Sequence, residues 1–132
     1  MKHRQSINSP RLTFRRLCAA AADETAGAEA RGLFANPGAY DSWAARWRSR
    51  LVVDGREPNA RAKAMRAVNP AFIPRNHRVE QALDAAIDNA DFSPFADLLT
   101  VLLRPYEDQE TFADYAVPPR TDERVFQTFC GT

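Results

Sequence analysis

Apolar positions recur at three- and four-residue intervals along almost the whole chain, and β-branched residues are few, so the pattern predicts a mainly α protein. Ser9 and Pro10 read as an N-cap and a first-turn proline. Phe14, Leu17, Cys18 and Ala21 follow as a narrow apolar stripe. Asp23 to Gly32 loses most of its bulk and reads as a connection. Asn36-Pro37 opens the clearest helix, which puts Tyr40, Trp43, Ala44, Trp47 and Leu51 on one face and directs Arg46, Arg48 and Arg50 mostly away from it. Asp54-Gly55 closes that segment, and Pro58 starts a short Ala/Arg helix carrying Met65 and Val68.

Asn69-Pro70 and Ile73-Pro74 bracket a rigid connection, because a residue before proline is pushed out of the helical region. Asn76 is expected to cap the next helix, in which Val79, Ala82, Leu83, Ala86 and Ile87 hold helical spacing. Ser93-Pro94 reads as another cap and proline start. Phe95, Leu98, Leu99 and Leu102 form the apolar face of that helix, and Arg104-Pro105 stops it. From Tyr106 the pattern breaks into acidic residues, an aromatic pair (Phe112, Tyr115) and Pro118-Pro119. Residues 120–132 read as an extended tail ending in Cys130-Gly131-Thr132. The sum is about five helices with proline-defined joints, in a single helical domain over 1–132.

Composition narrows the classes. At 132 residues, 45% hydrophobic and 27% charged, the chain suits one folded domain and excludes a disordered one. No apolar run long enough for a membrane span occurs, and the basic N-terminus has no apolar stretch behind it, so neither a transmembrane helix nor a signal peptide is legible. Two cysteines exclude a disulfide framework and a four-ligand zinc site, and a reduced, cytoplasmic protein is the expectation. The net charge of +1 hides an asymmetry. Residues 1–66 hold 13 Lys and Arg against 6 Asp and Glu, and residues 67–132 hold 5 against 11, so the halves carry +7 and −6. Two such halves could attract each other or face different partners.

Catalytic chemistry is scarce. His77 and Glu80 share a helical face, but no third ligand is placed by spacing, so a capping or solvated histidine is the plainer reading. His3 lies near the N-terminus. Gly27, Gly32, Gly38, Gly55 and Gly131 are isolated from one another, and neither Lys2 nor Lys63 follows a strand and glycine loop, so no phosphate cradle is legible. Trp43 to Arg50 interleaves aromatics with arginines, as nucleic-acid surfaces do. Both tryptophans share the apolar face, however, which assigns them to the core and weighs against nucleic acid. The stretch from Asn69 to Asn76 reads as a helix–helix joint whose asparagines satisfy exposed backbone groups. Cys130 sits on an accessible tail where its thiol could form disulfides, and Cys18 reads as a small buried hydrophobe. A bridge between the two has no support in spacing.

At these residues the chain resembles a known family. Asn69-Pro70-Ala71-Phe72-Ile73-Pro74-Arg75-Asn76, followed by Gln81-Ala82-Leu83-Asp84-Ala85-Ala86, is similar to the N-P-x-F/Y-I/V-x-R-N…A-I/L-x-A-A segment of the selenoprotein O (YdiU-like) family of protein adenylyltransferases. Leu103-Arg104-Pro105-Tyr106 resembles its L-x-R-P-F/Y motif, and Tyr115…Pro118-Pro119 its Y…P-P element. The terminus Cys130-Gly131-Thr132 resembles its C-x-x ending, where many eukaryotic members carry selenocysteine at the position of Cys130. Leu12 to Leu17 and Trp43 to Arg50 also look like family segments, so the resemblance spans residues 11–132 and corresponds to the C-terminal portion.

The resemblance implies a protein-kinase-like fold that transfers AMP from ATP, with Mg or Mn, to protein hydroxyls. The family's catalytic, nucleotide-binding and metal-binding residues lie before this segment, so none is carried over to it. By this reading the helices are the C-terminal helical part of the kinase-like fold. Trp43, Trp47 and Phe72 anchor packing, with Asn69, Pro70, Arg75, Asn76, Arg104, Pro105 and Tyr106 as motif residues. Cys130 is the redox candidate, its family counterpart pairing with a cysteine of the activation-loop region. The implied partners are the remaining kinase-like core and the enzyme's protein substrates. A lobe taken alone is expected to be inactive, to expose an apolar patch and to self-associate. The alternative is a free-standing helical module that binds an acidic protein or RNA through Arg46, Arg48 and Arg50.

Overall fold

The computed structural model describes residues 9–126, so Lys2, His3, Cys130 and the end of the expected tail lie outside the described residues. Among the described residues there are seven α-helices and no strand. Where length led to an expectation of one domain, the chain divides after Pro70 into two compact units. That boundary coincides with the charge boundary, since residues 67–70 carry no charge.

The first unit holds α1 (Pro10–Ala22), α2 (Gly27–Arg31), α3 (Pro37–Asp54) and α4 (Pro58–Val68). Its boundaries follow from local chemistry. Ser9 is extended and Pro10 takes the first helical position of α1, where a missing N–H costs nothing. Asp23 is extended and ends α1, and its carboxylate accepts from the Thr25 N–H at 2.9 Å and the Thr25 hydroxyl at 2.7 Å. That turn leads into α2, a five-residue helix inside the segment expected to be a connection, too short for a period to show. Asn36 caps α3 by accepting from the Ala39 N–H at 3.1 Å. Gly55, at φ 67°, ends α3 in the left-handed region that glycine enters freely. Glu57 caps α4, accepting from the N–H groups of Asn59 and Ala60 at 3.0 and 2.8 Å, and these bonds hold its carboxyl below its ordinary pKa. Leu17, Ala30, Tyr40 and Ala44 form the core, with Trp47 and Met65 against it. Small buried residues, Cys18 and Ala21 on α1 and Ala62 on α4, suit the close packing of those two helices.

The second unit holds α5 (Asn76–Asn89), α6 (Ser93–Leu102) and α7 (Ala113–Ala116). Asn76, expected as the cap of α5, is its first helical residue instead. Arg75 is the extended cap residue, and its carbonyl accepts from the N–H groups of Arg78 and Val79. Ser93 is likewise inside α6, and the cap-like bond comes from Asp91, whose carboxylate accepts from the Ser93 N–H at 2.9 Å. Ala71, Phe72 and Val101 form the core, with Leu102, Phe112, Tyr115 and Ala116 packed on it. The four-residue α7 lies where the apolar pattern breaks, and Thr121–Glu123 form a 3-10 turn within the segment expected to be extended.

Candidate functional site

The two motif segments of the second unit meet through one carbonyl. The oxygen of Pro105 accepts from the N–H groups of both Ala71 and Phe72, at 2.7 and 3.1 Å. Proline supplies the fixed turn after α6, and Asn69-Pro70 delivers an extended chain to it. The Phe72 ring is buried beside Val101, so the backbone pairing and the side-chain packing fix the same joint. Gln109 closes the turn by donating to the carbonyls of Val101 and Arg104 at 3.0 and 2.9 Å.

Two arginines then tie α7 to α5. Arg75 donates to the Ala116 carbonyl at 3.1 Å, and Arg78 to the Asp114 carbonyl at 2.9 Å, its guanidinium lying 5.2 Å from the centroid of the Tyr115 ring. The remaining motif residues are peripheral. Arg104 is exposed and paired with Glu107 at 3.0 Å, and Asn76 and Tyr106 are exposed. The Asn69 side chain, at the end of the first unit, donates to the Met65 carbonyl at 2.8 Å, the backbone-satisfying role expected of an asparagine there, and the Asn69 backbone carbonyl accepts from Arg15 at 3.0 Å.

Ile73 to His77, with Pro119 and the run from Glu123 to Phe126, line a cavity of about 430 Å³. His77 is the buried polar group of this wall, at 4% exposure, whereas Glu80 is exposed, so the His–x–x–Glu spacing does not give a shared surface site. Burial pushes the His77 pKa down, the neighbouring cations Arg78 and Arg75 add to that, and Glu123 opposes it. The imidazole is therefore neutral at neutral pH. As the pH falls below the ordinary histidine pKa of about 6.5, the unfolded chain takes up a proton that the folded one refuses, so stability is lost on the acid side. The unfolding midpoint is expected to fall between about pH 7.5 and 5.5, and to fall less in His77→Gln. Thermal unfolding followed by circular dichroism checks this.

In the first unit Trp43 and Trp47 stack at 5.3 Å with an interplanar angle of 16°, and Tyr40 and Phe34 extend the aromatic row. Tyr40 is buried and Trp47 partly so, but Trp43 keeps 37% of its surface, less enclosed than a core assignment implies. Arg46 and Arg50 are exposed, while Arg48 pairs with Glu24 at 3.1 Å. Sequence reasoning missed Arg61. This buried arginine donates to the carbonyls of Leu51 and Arg56 at 2.7 and 2.8 Å and to that of Ala21 at 3.4 Å, and lies 3.6 Å from the Asp54 carboxylate. It borders a cleft of about 390 Å³ whose charged wall also holds Glu24, Arg48 and Arg56. Cys18 is buried, its thiol donating to the Phe14 carbonyl at 3.2 Å.

No protein-family model matches the chain. It is, however, similar to curated proteins over 121 residues, 92% of its length. A protein nucleotidyltransferase YdiU of Rhodopseudomonas palustris (strain BisB5) is 56% identical, one of Rhizobium etli (strain CIAT 652) 58%, and one of Nitrobacter hamburgensis 55%. The chain belongs to the YdiU family. It spans about a quarter of the length of these relatives, 24–25%, as a C-terminal portion does. In this YdiU portion the segments that include Ala71-Phe72 and Arg104-Pro105 meet at the Pro105 carbonyl. No group of three or more His, Cys, Asp or Glu able to hold a metal ion occurs among its described residues. No helix among them is long and apolar enough to cross a membrane.

Proposed function

We propose that this chain is the C-terminal helical region of a YdiU-type protein adenylyltransferase and serves it as a scaffold and redox-sensing end. The observation that carries the reading is the 51–58% identity over 92% of the chain, at a quarter of the relatives' length. The whole enzyme would transfer AMP from ATP to protein Ser, Thr or Tyr hydroxyls, with pyrophosphate leaving and Mg or Mn neutralising the phosphates. The side chains described here do not fit that cofactor pair, for they form neither a metal-ligand group nor a phosphate cradle, and no step is routed through them. Their contribution is positioning: Phe72, Pro105, Arg75 and Arg78 hold the second unit in one shape.

Incubation with labelled ATP, Mg and a generic protein acceptor tests this. The chain alone is expected to transfer no AMP. A full-length R. palustris relative whose matching segment is replaced by this chain is expected to transfer it, and Cys130→Ser in that chimera is expected to abolish the response of the rate to reductant. Robust transfer by the chain alone, or an inactive chimera that is folded, overturns the reading.

A further inference from the structure

The apolar stripes of α5 and α6 are wider than their own unit covers. Ala82 on α5 and Leu98 and Val101 on α6 are buried, whereas Leu83 and Ile87 keep 49% and 78% of their surface, and Phe95, Leu99 and Leu103 keep 52%, 52% and 74%. At 100° per residue, Leu83 and Ile87 lie about 100–140° around α5 from Ala82, and Phe95, Leu99 and Leu103 about 60–140° around α6 from Leu98 in the same sense. α5 and α6 pack together across the three residues Ala90 to Phe92, a helical hairpin. In an antiparallel pair, residues displaced in the same sense from each buried line fall on one side of the hairpin. The five side chains therefore form one exposed apolar face, larger than scattered surface hydrophobics.

We propose that this face is the seat of the preceding portion of a YdiU-type enzyme, an inference that rests on the function proposed above. Three quarters of each relative's length lies outside the segment matched here, so the family supplies a large body of chain to cover it. A second copy is the poorer occupant. The unit bearing the face has a net charge of −6, and pairing two copies through it would bring like charge against like.

Accessibility of a thiol placed on the face tests this directly. Ile87→Cys and Leu99→Cys, each in a Cys130→Ser background, are labelled with a maleimide in the chain alone and in the full-length chimera. Burial of the thiol in the chimera is expected to slow labelling at both positions by about tenfold or more. Equal rates in the two proteins, with the chain alone labelled dilute enough to be monomeric, overturn the assignment. Where the chimera does not fold, cysteines at the matching positions of the natural full-length relative give the same readout. The two proposals fail separately: a protected face in a folded chimera that transfers no AMP overturns only the function, and an open face in an active chimera overturns only the docking.

Discussion

Replacing Arg61 with methionine is expected to destabilise the first unit by about 3 kcal/mol, the largest effect of any polar substitution in it. One guanidinium ties three chain ends: the last turn of α1 through Ala21, the last turns of α3 through Leu51, and the following loop through Arg56. Hydrogen bonds from a charged donor contribute roughly 1.5–3 kcal/mol each, which would sum to more, but the neighbouring cleft gives water a path to the orphaned carbonyls and lowers the net loss. Methionine keeps the stem's packing, so the loss isolates the polar head. Arg61→Lys is expected to recover part of it, because an ammonium cannot present the planar fork that reaches separate carbonyls. Both tryptophans, Trp43 and Trp47, lie in the first unit, so their fluorescence during denaturant unfolding reports that unit selectively. A methionine variant within about 0.5 kcal/mol of the natural chain, the range of ordinary surface substitutions, would refute the stapling role.

That Arg61 escaped a reading of the sequence has a physical cause. It sits in an Ala/Arg helix whose charged positions look solvated, and its hydrogen-bond acceptors are backbone carbonyls of residues 5, 10 and 40 positions away, which no side-chain pattern encodes. Where the determinant is local, the sequence is explicit. Ser9-Pro10, Asn36-Pro37 and Gly55 mark helix ends correctly because capping and left-handed glycine act within a few residues. Helices α2 and α7, at five and four residues, are shorter than the span needed to display a period. The division at Pro70 was visible as a change in charge sign but was not expected as a structural boundary, since charge alone does not say which residues share a core.

The motif cavity and the exposed hairpin face show the same limit from the other side. Val79 to Ile87 keeps helical spacing throughout, yet only Ala82 of that stripe is buried, because periodicity states which side chains share a face and not what covers it. Arg75 was legible as a motif residue; its bond to Ala116, 41 positions on, was not. The segment resemblance named the family, and the geometry adds how two of those segments meet: an extended chain at Asn69 leads to Ala71 and Phe72, whose N–H groups bond the Pro105 carbonyl.

Truncating Phe72 to alanine is expected to cost about 3–5 kcal/mol in the second unit, the usual penalty for removing a buried aromatic that leaves a cavity. The ring is 3% exposed, and it is the one aromatic in the buried cluster it forms with Ala71 and Val101. Its neighbours Phe112 and Tyr115 meet edge to face at 5.9 Å, and they belong to the short segments that have little helix of their own to sustain them. Loss of the ring should therefore release those segments first and then the paired N–H groups of Ala71 and Phe72 from the Pro105 carbonyl. Amide hydrogen exchange reads this sequence of events: protection at Ala71, residue 72 and the last turn of α6 should drop together. Phe72→Leu, which keeps most of the volume, should cost about 1–1.5 kcal/mol and leave that protection largely in place. If Phe72→Ala lowers exchange protection no more than Phe72→Leu does, the joint is held by the backbone pairing and not by the ring.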